Sequence, residues 1–510
     1  MRALFSTRRE VVRTLVVIGA LGTLLRLLAC LLDPPIHADE YFQYVEPAWW
    51  HLTGVGSTAW EWDEGIRSWV LPFYNGAWLA LLMWLGIDES PAIGLALKVH
   101  WALVNASLIW LAWRGGSSVC RRLAPPSQVA SGSDPPPGHE GGLLAALLCA
   151  GFTILVSYSA HTLSELPSML CLVAGLVLVA ELVEQPGESA HIRLWSAATL
   201  AGLLLSLGAC LRIANGPLTV LGPLWLLLTG RRRTLVELIA GATLPVLLFT
   251  SVDRLTWGVW AGSFIEYVKF NFIGDGASDF GVEPARWYFD TLRSRAPFTI
   301  YPLLAAALLG ARATWPYLLS ALGMVAYFSL QPHKEERFVI TFWPLLLIAA
   351  GGAAGAFIAR ARRAPGQAPA SPRFGSRVRA RIAALTRMER AAIATLFAAA
   401  VLFDGALHYL GTPRPLSKDQ IDGQIWAGKQ PSLTGLLVEY PLSTGGYVWF
   451  GSRAPMIGGA DHADDDALLE SPLTSHVLAP AKSRFERKAR RAGFVTAREF
   501  DSYVVLARAR

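Results

Sequence analysis

Residues 11–44 read VVRTLVVIGALGTLLRLLACLLDPPIHADEYFQY. The first half is mostly apolar and long enough to cross a hydrocarbon core, which takes about 20 helical residues. It is too long for the apolar part of a secretory leader, and no small-residue cleavage site follows it. It therefore reads as an uncleaved first span, with Arg2, Arg8, Arg9 and Arg13 holding the N-terminus in the cytoplasm. Asp39 and Glu40 then stand at the opposite, extracytoplasmic mouth of that span, beside His37, Tyr41, Gln43 and Tyr44.

The rest of the 510-residue chain agrees with that opening. It is 53% apolar and 16% charged, with mean hydropathy +0.39, where a soluble domain carries roughly a quarter charged residues. Several of its 19 tryptophans close apolar runs, where indole rings favour the membrane interface. The net charge of +7 requires no nucleic-acid partner, because nine arginines lie between Arg360 and Arg390 and read as a cytoplasmic loop near anionic lipid. Cys30, Cys120, Cys149, Cys171 and Cys210 show no CxxC spacing, so the sequence suggests neither a zinc site nor a disulfide framework.

Apolar stretches fall near 11–32, 70–87, 92–113, 143–160, 166–183, 195–211, 214–229, 234–252, 297–311, 313–330, 338–357 and 390–410. The class expected is a polytopic α-helical membrane protein of about 11–12 segments. Eleven stretches precede the basic loop, which must share the side of the N-terminus, so one is not a simple span. The leading candidate is 70–87, broken by Pro72 and Asn75, with the short 214–229 and 297–311 also open. Residues 114–142 and 358–390 read as flexible polar connectors within a membrane domain of residues 1–410. Residues 411–510 read as a small extracytoplasmic α/β unit, in which the strand-like GGYVWFG and FDSYVVLAR flank the helix candidate PAKSRFERKARRAG. No internal repeat is visible, which weighs against a transporter of repeated halves.

Three polar islands open on the extracytoplasmic side. In 33–69, Asp39 meets the chemical requirement for a general base toward a hydroxyl, and Glu40 could also meet it. Glu61, Trp62 and Arg67 are candidates for positioning substrate, with interfacial anchoring the alternative for Trp60 and Trp62. The second island, 253–290, carries Lys269, Asn271 and Arg286 among aromatics and glycines, and suits a lid, a sugar-stacking wall or an ordinary ordered loop. The third, QPHKEERF (331–338), places His333, Lys334 and Arg337 together, the donors an anionic leaving group needs; charge anchoring is the plainer alternative. Arg212 closes an apolar run at a cost that demands a partner or a purpose, phosphate binding or snorkelling. His161, Ser164 and Glu165 sit between two spans. The chain has no G-x-x-x-x-G-K-[ST] loop, no dinucleotide fingerprint and no HExxH. The chemistry left is one whose energy arrives in the membrane, as a sugar on a polyprenyl phosphate.

The islands in order resemble glycosyltransferase family 22, the mannosyltransferases that extend N-glycan precursors and GPI anchors from dolichyl-phosphate mannose. HADEYFQY resembles its H-P-D-E motif and WEWDEGIRSWVLP its T-Y/W-E-W…I-R-S…P stretch. Residues 253–289 resemble its D-R…Y-G…F-N…W-Y block, and HKEERF matches H-K-E-x-R-F. The resemblance covers about residues 15–345. It implies a GT-C fold, an active site at the extracytoplasmic face, Asp39 as base with Glu40 beside it, inversion at the anomeric carbon and no obligate cofactor or metal. It sets His333, Lys334 and Arg337 toward the donor phosphate. Ala38 replaces the motif's proline, and HTLSE stands where R-T-x-S-N is usual, so His161 and Glu165 bear on the acceptor and the sugar. The partners implied are a lipid-linked sugar donor and a glycan or glycolipid acceptor. Alanine- and arginine-rich connectors point to a bacterial cytoplasmic membrane rather than the endoplasmic reticulum. Two rivals remain: a flippase or transporter of a lipid-linked sugar, and an inactive scaffold.

Overall fold

A computed structural model of the chain describes residues 7–32, 38–123, 135–187, 191–361, 400–401, 403–405, 417–440, 444–458 and 465–509. Helix α1 (Arg8–Leu32) is started by a reciprocal cap: Thr7 N–H donates to the Glu10 carboxylate (3.1 Å) and Glu10 N–H to Thr7 Oγ1 (3.3 Å). One stripe of it, Val11, Ile18, Gly22, Arg26, Ala29 and Cys30, is buried, while Val16, Val17, Leu21, Leu24 and Leu31 are exposed. In a membrane that exposed face meets lipid.

Four short helices follow: α2 (Asp39–Phe42), α3 (Glu46–Thr53), α4 (Trp60–Asp63) and the apolar α5 (Val70–Trp84). Then come α6 (Ser90–Leu123), α7 (His139–Gly151), α8 (Thr153–Tyr158), α9 (Glu165–Glu184) and α10 (Ala197–Leu211). A 3₁₀ turn at Ile213–Val220 leads into α11 (Leu221–Leu228), α12 (Arg232–Thr256) and α13 (Gly262–Val268). The set closes with α14 (Trp287–Arg295), α15 (Ile300–Leu309), α16 (Ala311–Ser329) and α17 (Phe342–Ala361).

Among the described residues, five helical segments are long and apolar enough to cross a membrane: Arg8–Leu32, Pro91–Leu123, Glu165–Glu184, Arg232–Thr256 and Glu336–Ala359. Val70–Trp84, Ala197–Leu211, Ile213–Leu228 and Ile300–Leu309 are apolar but shorter. All three stretches suspected from the parity argument are in this shorter group. Residues 143–160 are split, because Phe152 (φ −70°, ψ 112°) ends α7 and starts α8. The apolar run 390–410 lies almost wholly outside the described residues.

That break explains a charge in the first span. Arg26 is 1% exposed, and its guanidinium donates to the Cys149 (2.9 Å) and Ala150 (3.2 Å) carbonyls, which the break deprives of their helical partners. Backbone acceptors inside a bilayer must be satisfied by protein. Nearby, α6, α7 and α17 meet at a glycine seam, so close that a Cβ at Gly355 would fall 2.2 Å from Gly141 N.

The expected connector at 114–142 is corrected. Residues 114–123 continue α6, with Ser117, Ser118, Val119 and Cys120 buried, and His139–Gly142 begin α7. The polar residues that suggested a linker are paired across helices: Arg114 with Glu181, and Arg121 (2.8 Å) and Arg122 (3.5 Å) with Glu184. Residues 124–134 lie outside the described set. The basic connector at 358–390 begins as the end of α17, and residues 362–390 lie outside the described set.

The C-terminal part holds α18 (Ser417–Gly428), β1 (Leu436–Val438), α19 (Gly446–Phe450), β2 (Met456–Gly458), α20 (Asp465–Glu470), β3 (His476–Pro480), α21 (Arg484–Arg491), β4 (Phe494–Glu499) and β5 (Tyr503–Arg508). The sheet runs β2-β1-β3-β5-β4, with β1 parallel to β2 and β3, and β5 antiparallel to β3 and β4. FDSYVVLAR forms a strand and the basic segment a helix, as read. GGYVWFG does not form a strand: it is α19, stopped by Gly451 at φ +66°. One sheet face (Leu437, Val477, Val504, Leu506) is covered by Phe485 and Ala489 of α21. The other (Leu436, Val438, Leu478, Val505) shares one hydrophobic core with Val448 and Phe450 of α19 and with Tyr41, Tyr44, Val45 and Trp49 of the first island.

Candidate active site

The three islands converge. Asp39, on the first turn of α2, is joined by Arg337 Nη2 at 2.6 Å across nearly 300 residues of chain. Arg337 follows a non-helical Glu335 into a short 3₁₀ turn, so its guanidinium is aimed back at α2. Its Nε meets Glu335 Oε2 at 2.5 Å and Glu165 Oε1 at 3.4 Å. Glu165 in turn pairs with Arg212 Nη1 at 2.8 Å. Phe338 lies beneath both cations, 4.6 Å from Arg212 and 5.4 Å from Arg337 by ring centroid. Charges this deep are expensive unless paired, and here each cation has a carboxylate.

The adjacent carboxylates diverge. The Asp39 side chain keeps 22% of its surface exposed; that of Glu40 keeps 2%. Glu40 Oε2 lies 2.8 Å from His161 Nδ1, and its main-chain carbonyl accepts the Thr162 hydroxyl. Of the two carboxylates, Asp39 is the one that solvent reaches.

Beside them a cleft of about 500 Å³, counted to its open mouth, is lined by the polar Tyr44, Arg67, Ser68, Arg212, Ser263 and Tyr267 and by the apolar Ile66, Leu71 and Phe249 among others. Arg67 pairs with Glu61 (3.4 Å), which also accepts from Gln43 Nε2 at 2.7 Å. Burial opposes charge on Arg67, but Tyr44, Glu61 and Asp39 around it outweigh burial and hold its pKa above the ordinary arginine value. Arg67 Nε, Ser68 Oγ and Arg212 Nε are buried without a hydrogen-bond partner, three donors around one cleft. The wall bearing Ser263 and Tyr267 is fixed by Asp253, which takes the Ser263 N–H (2.9 Å) and hydroxyl (2.6 Å).

Other expected residues stand apart. Lys334 Nζ donates to the carbonyls of Glu283 (2.9 Å), Gln331 and Pro332 (3.4 Å), bracing its loop rather than facing the arginines. Asn271 donates to Tyr267 O (3.0 Å) inside a π turn at Lys269–Ile273. His333 pairs with Glu335 (2.9 Å) at the rim and meets the edge of Phe280. His37 lies outside the described residues. The sequence ties His161 and Glu165 only to the choice of acceptor and sugar; the structure places one under Glu40 and the other between two arginines. Ser68, Ser263 and Tyr267 went unnoticed because hydroxyls near aromatics carry no sequence signal of convergence. Among the described residues, no three His, Cys, Asp or Glu side chains are arranged to hold a metal ion.

The chain is 26% identical over 322 residues to GPI mannosyltransferase 3 of Yarrowia lipolytica, covering 62% of this chain and 57% of that protein. It is 27% identical over 335 residues to Mannosyltransferase APTG1 of Arabidopsis thaliana, covering 63% and 55%. The chain thus spans less than two thirds of the length of these relatives. Both are eukaryotic, so the bacterial placement keeps only residue usage as support. Its fold matches the crystal structure of ArnT from Cupriavidus metallidurans bound to undecaprenyl phosphate, with TM-score 0.59 and 14% identity over 96% of this chain and 97% of that one. The GT-C class expected from the motifs is therefore the fold found. The model of the Alg9-like mannosyltransferases matches residues 18–407, taking in all three islands, and the chain belongs to that family.

Proposed function

We propose that the chain is an inverting glycosyltransferase that moves a sugar, mannose by its family, from a polyprenyl or dolichyl phosphate to a hydroxyl of a glycan or glycolipid at the extracytoplasmic face. Asp39 takes the acceptor proton as the acceptor oxygen bonds to the anomeric carbon. The bond from that carbon to the phosphate oxygen breaks, and the lipid phosphate leaves with the electron pair. Arg337 orients the base. Arg67 and Arg212 receive the phosphate, while the apolar lining residues take the start of the prenyl chain. Lys334 and Asn271 hold the walls, and Glu40 with His161 fixes the turn that carries Asp39.

The observation that carries this reading is the set of unpartnered buried donors, Arg67 Nε, Ser68 Oγ and Arg212 Nε, on a cleft adjoining a part-exposed carboxylate. Such donors suit an anion, and buried ones left unpaired are costly. The test is transfer by purified protein in liposomes from labelled polyprenyl phosphate mannose to a panel of glycolipid acceptors. Asp39→Asn should lower the rate by about 10²–10⁴-fold with donor binding retained. Equal rates would remove Asp39 from the role. Donor movement across the bilayer with no transfer on any acceptor would favour the flippase.

A further inference from the structure

The mechanism leaves unused a buried carboxylate seven residues beyond Asp39. Glu46, at the start of α3, is 0% exposed and is held by backbone donors: Oε1 accepts the Val448 N–H of α19 (3.1 Å) and Oε2 the Ser57 N–H (3.2 Å). The fit is close. Gly446 has φ +66°, and a Cβ there would fall 2.3 Å from Glu46 Cδ. Three residues on, the Trp449 ring meets Tyr41 edge to face, with centroids 6.3 Å apart and planes at 82°. The indole also packs on α6, where a Cβ at Gly94 would lie 2.5 Å from it. Tyr41 is 2% exposed and shares the single turn of α2 with Asp39 and Glu40.

Helix α19 is itself clamped to the C-terminal unit. Gln424 of α18 donates to Gly446 O (2.6 Å) and accepts from Gly445 N (3.2 Å), and the Tyr447 hydroxyl accepts from Met456 N of β2 (2.7 Å). A continuous set of hydrogen bonds and ring contacts therefore runs from the sheet to the turn carrying Asp39. Residues 417–509 lie beyond the part of the chain matched by the family model.

We propose that the C-terminal unit sets the working position of the Asp39 carboxylate, acting through α19 on α2 and α3, with Tyr41, Glu46, Gly446 and Trp449 as positioning residues. This rests on Asp39 being the base. Arg337 holds the carboxylate itself; α19 holds the backbone that carries it. A small displacement of a positioned group costs rate steeply, roughly 10²-fold for 1 Å.

The experiment uses the full chain in liposomes with Trp449→Leu, Gly446→Ala and, as control, Lys429→Ala, which removes only the exposed Lys429–Glu89 pair between the same two regions (3.1 Å). Trp449→Leu and Gly446→Ala should lower kcat by about 10-fold or more. The KM for the lipid donor and the thermal midpoint should hold in at least Trp449→Leu, and amide exchange over residues 39–49 should speed up. Lys429→Ala should change none of these. Unchanged kcat with unchanged exchange overturns the proposal, as does a loss of activity that tracks donor affinity and midpoint alone. If the wild type transfers nothing, the functional reading has failed, and exchange over 39–49 alone decides the coupling: faster in both variants upholds it, unchanged overturns it.

Discussion

Two arginines sit at depths where charge is expensive, and they use their donors differently. Arg26, inside the first span, spends its guanidinium on main-chain carbonyls freed by the break at Phe152. Arg212, at the end of α10, shares one carboxylate with Arg337 and lines the cleft; Nε is without a partner in both arginines, so the difference lies in what the other donors hold. The first arrangement cannot exchange partners without orphaning backbone. The second can, because a phosphate can take the place of a carboxylate on a guanidinium. Charges bonded to backbone clamp the fold; charges bonded to one another can serve a ligand. Glu46 and Lys334 belong with Arg26, and Asp39, Arg67 and Arg337 with Arg212.

The sharpest way to break this division is Arg26→Met. It leaves the Cys149 and Ala150 carbonyls orphaned, each worth about 1–3 kcal/mol, so a loss of roughly 2–6 kcal/mol is expected in detergent unfolding. The protein that remains folded should bind donor lipid normally; weakened binding would blur the two classes. Arg212→Gln should do the reverse. Losing a charged hydrogen bond of about 1.5–3 kcal/mol weakens polyprenyl phosphate binding by roughly 10–100-fold, with the unfolding midpoint little changed.

Glu46 extends the comparison to a carboxylate. Burial pushes its pKa up to about 7 from the usual 4.5, against the pull of the Tyr447, Val448 and Ser57 backbone groups. A raised folded-state value gives stability that is fully present below the unfolded pKa and is lost as pH rises through about 7. The unfolding midpoint should therefore fall between pH 6 and 8, by the equivalent of about 1 kcal/mol, and Glu46→Gln should flatten that slope. The smallest effect expected is that of Lys334→Gln: about 1 kcal/mol or less in stability and no change in donor affinity. A lost affinity would move Lys334 into the phosphate site.

Much of this was legible in the sequence. The long spans follow from apolar run lengths, and Asp39 and Arg337 stand out in the sequence as side chains of polar islands. What stayed hidden needed a distant partner. Arg114, Arg121 and Arg122 suggested a polar connector because Glu181 and Glu184, more than 60 residues away, could not be seen to neutralise them. Arg26 escaped notice although the cost argument applied to Arg212 applied to it equally; its purpose depended on a helix break over 120 residues on. Tyr447, Val448, Trp449 and Phe450 have strand propensity, yet they form a helix. Packing against the first island outweighs that preference. Glu40 could not be separated from Asp39 by chemistry, only by burial.

The core that joins Tyr41, Tyr44 and Trp49 to Leu436, Leu478 and Val505 has a consequence for anyone who would rearrange this chain. A cut near residue 411 follows the change in composition but leaves apolar surface on both fragments. The severed sheet would be a sticky protein, and the truncated membrane part would lose the surface on which its first island rests. A functional graft between relatives would have to carry residues 38–57 together with the C-terminal unit, so that two segments some 400 positions apart are inherited as one part.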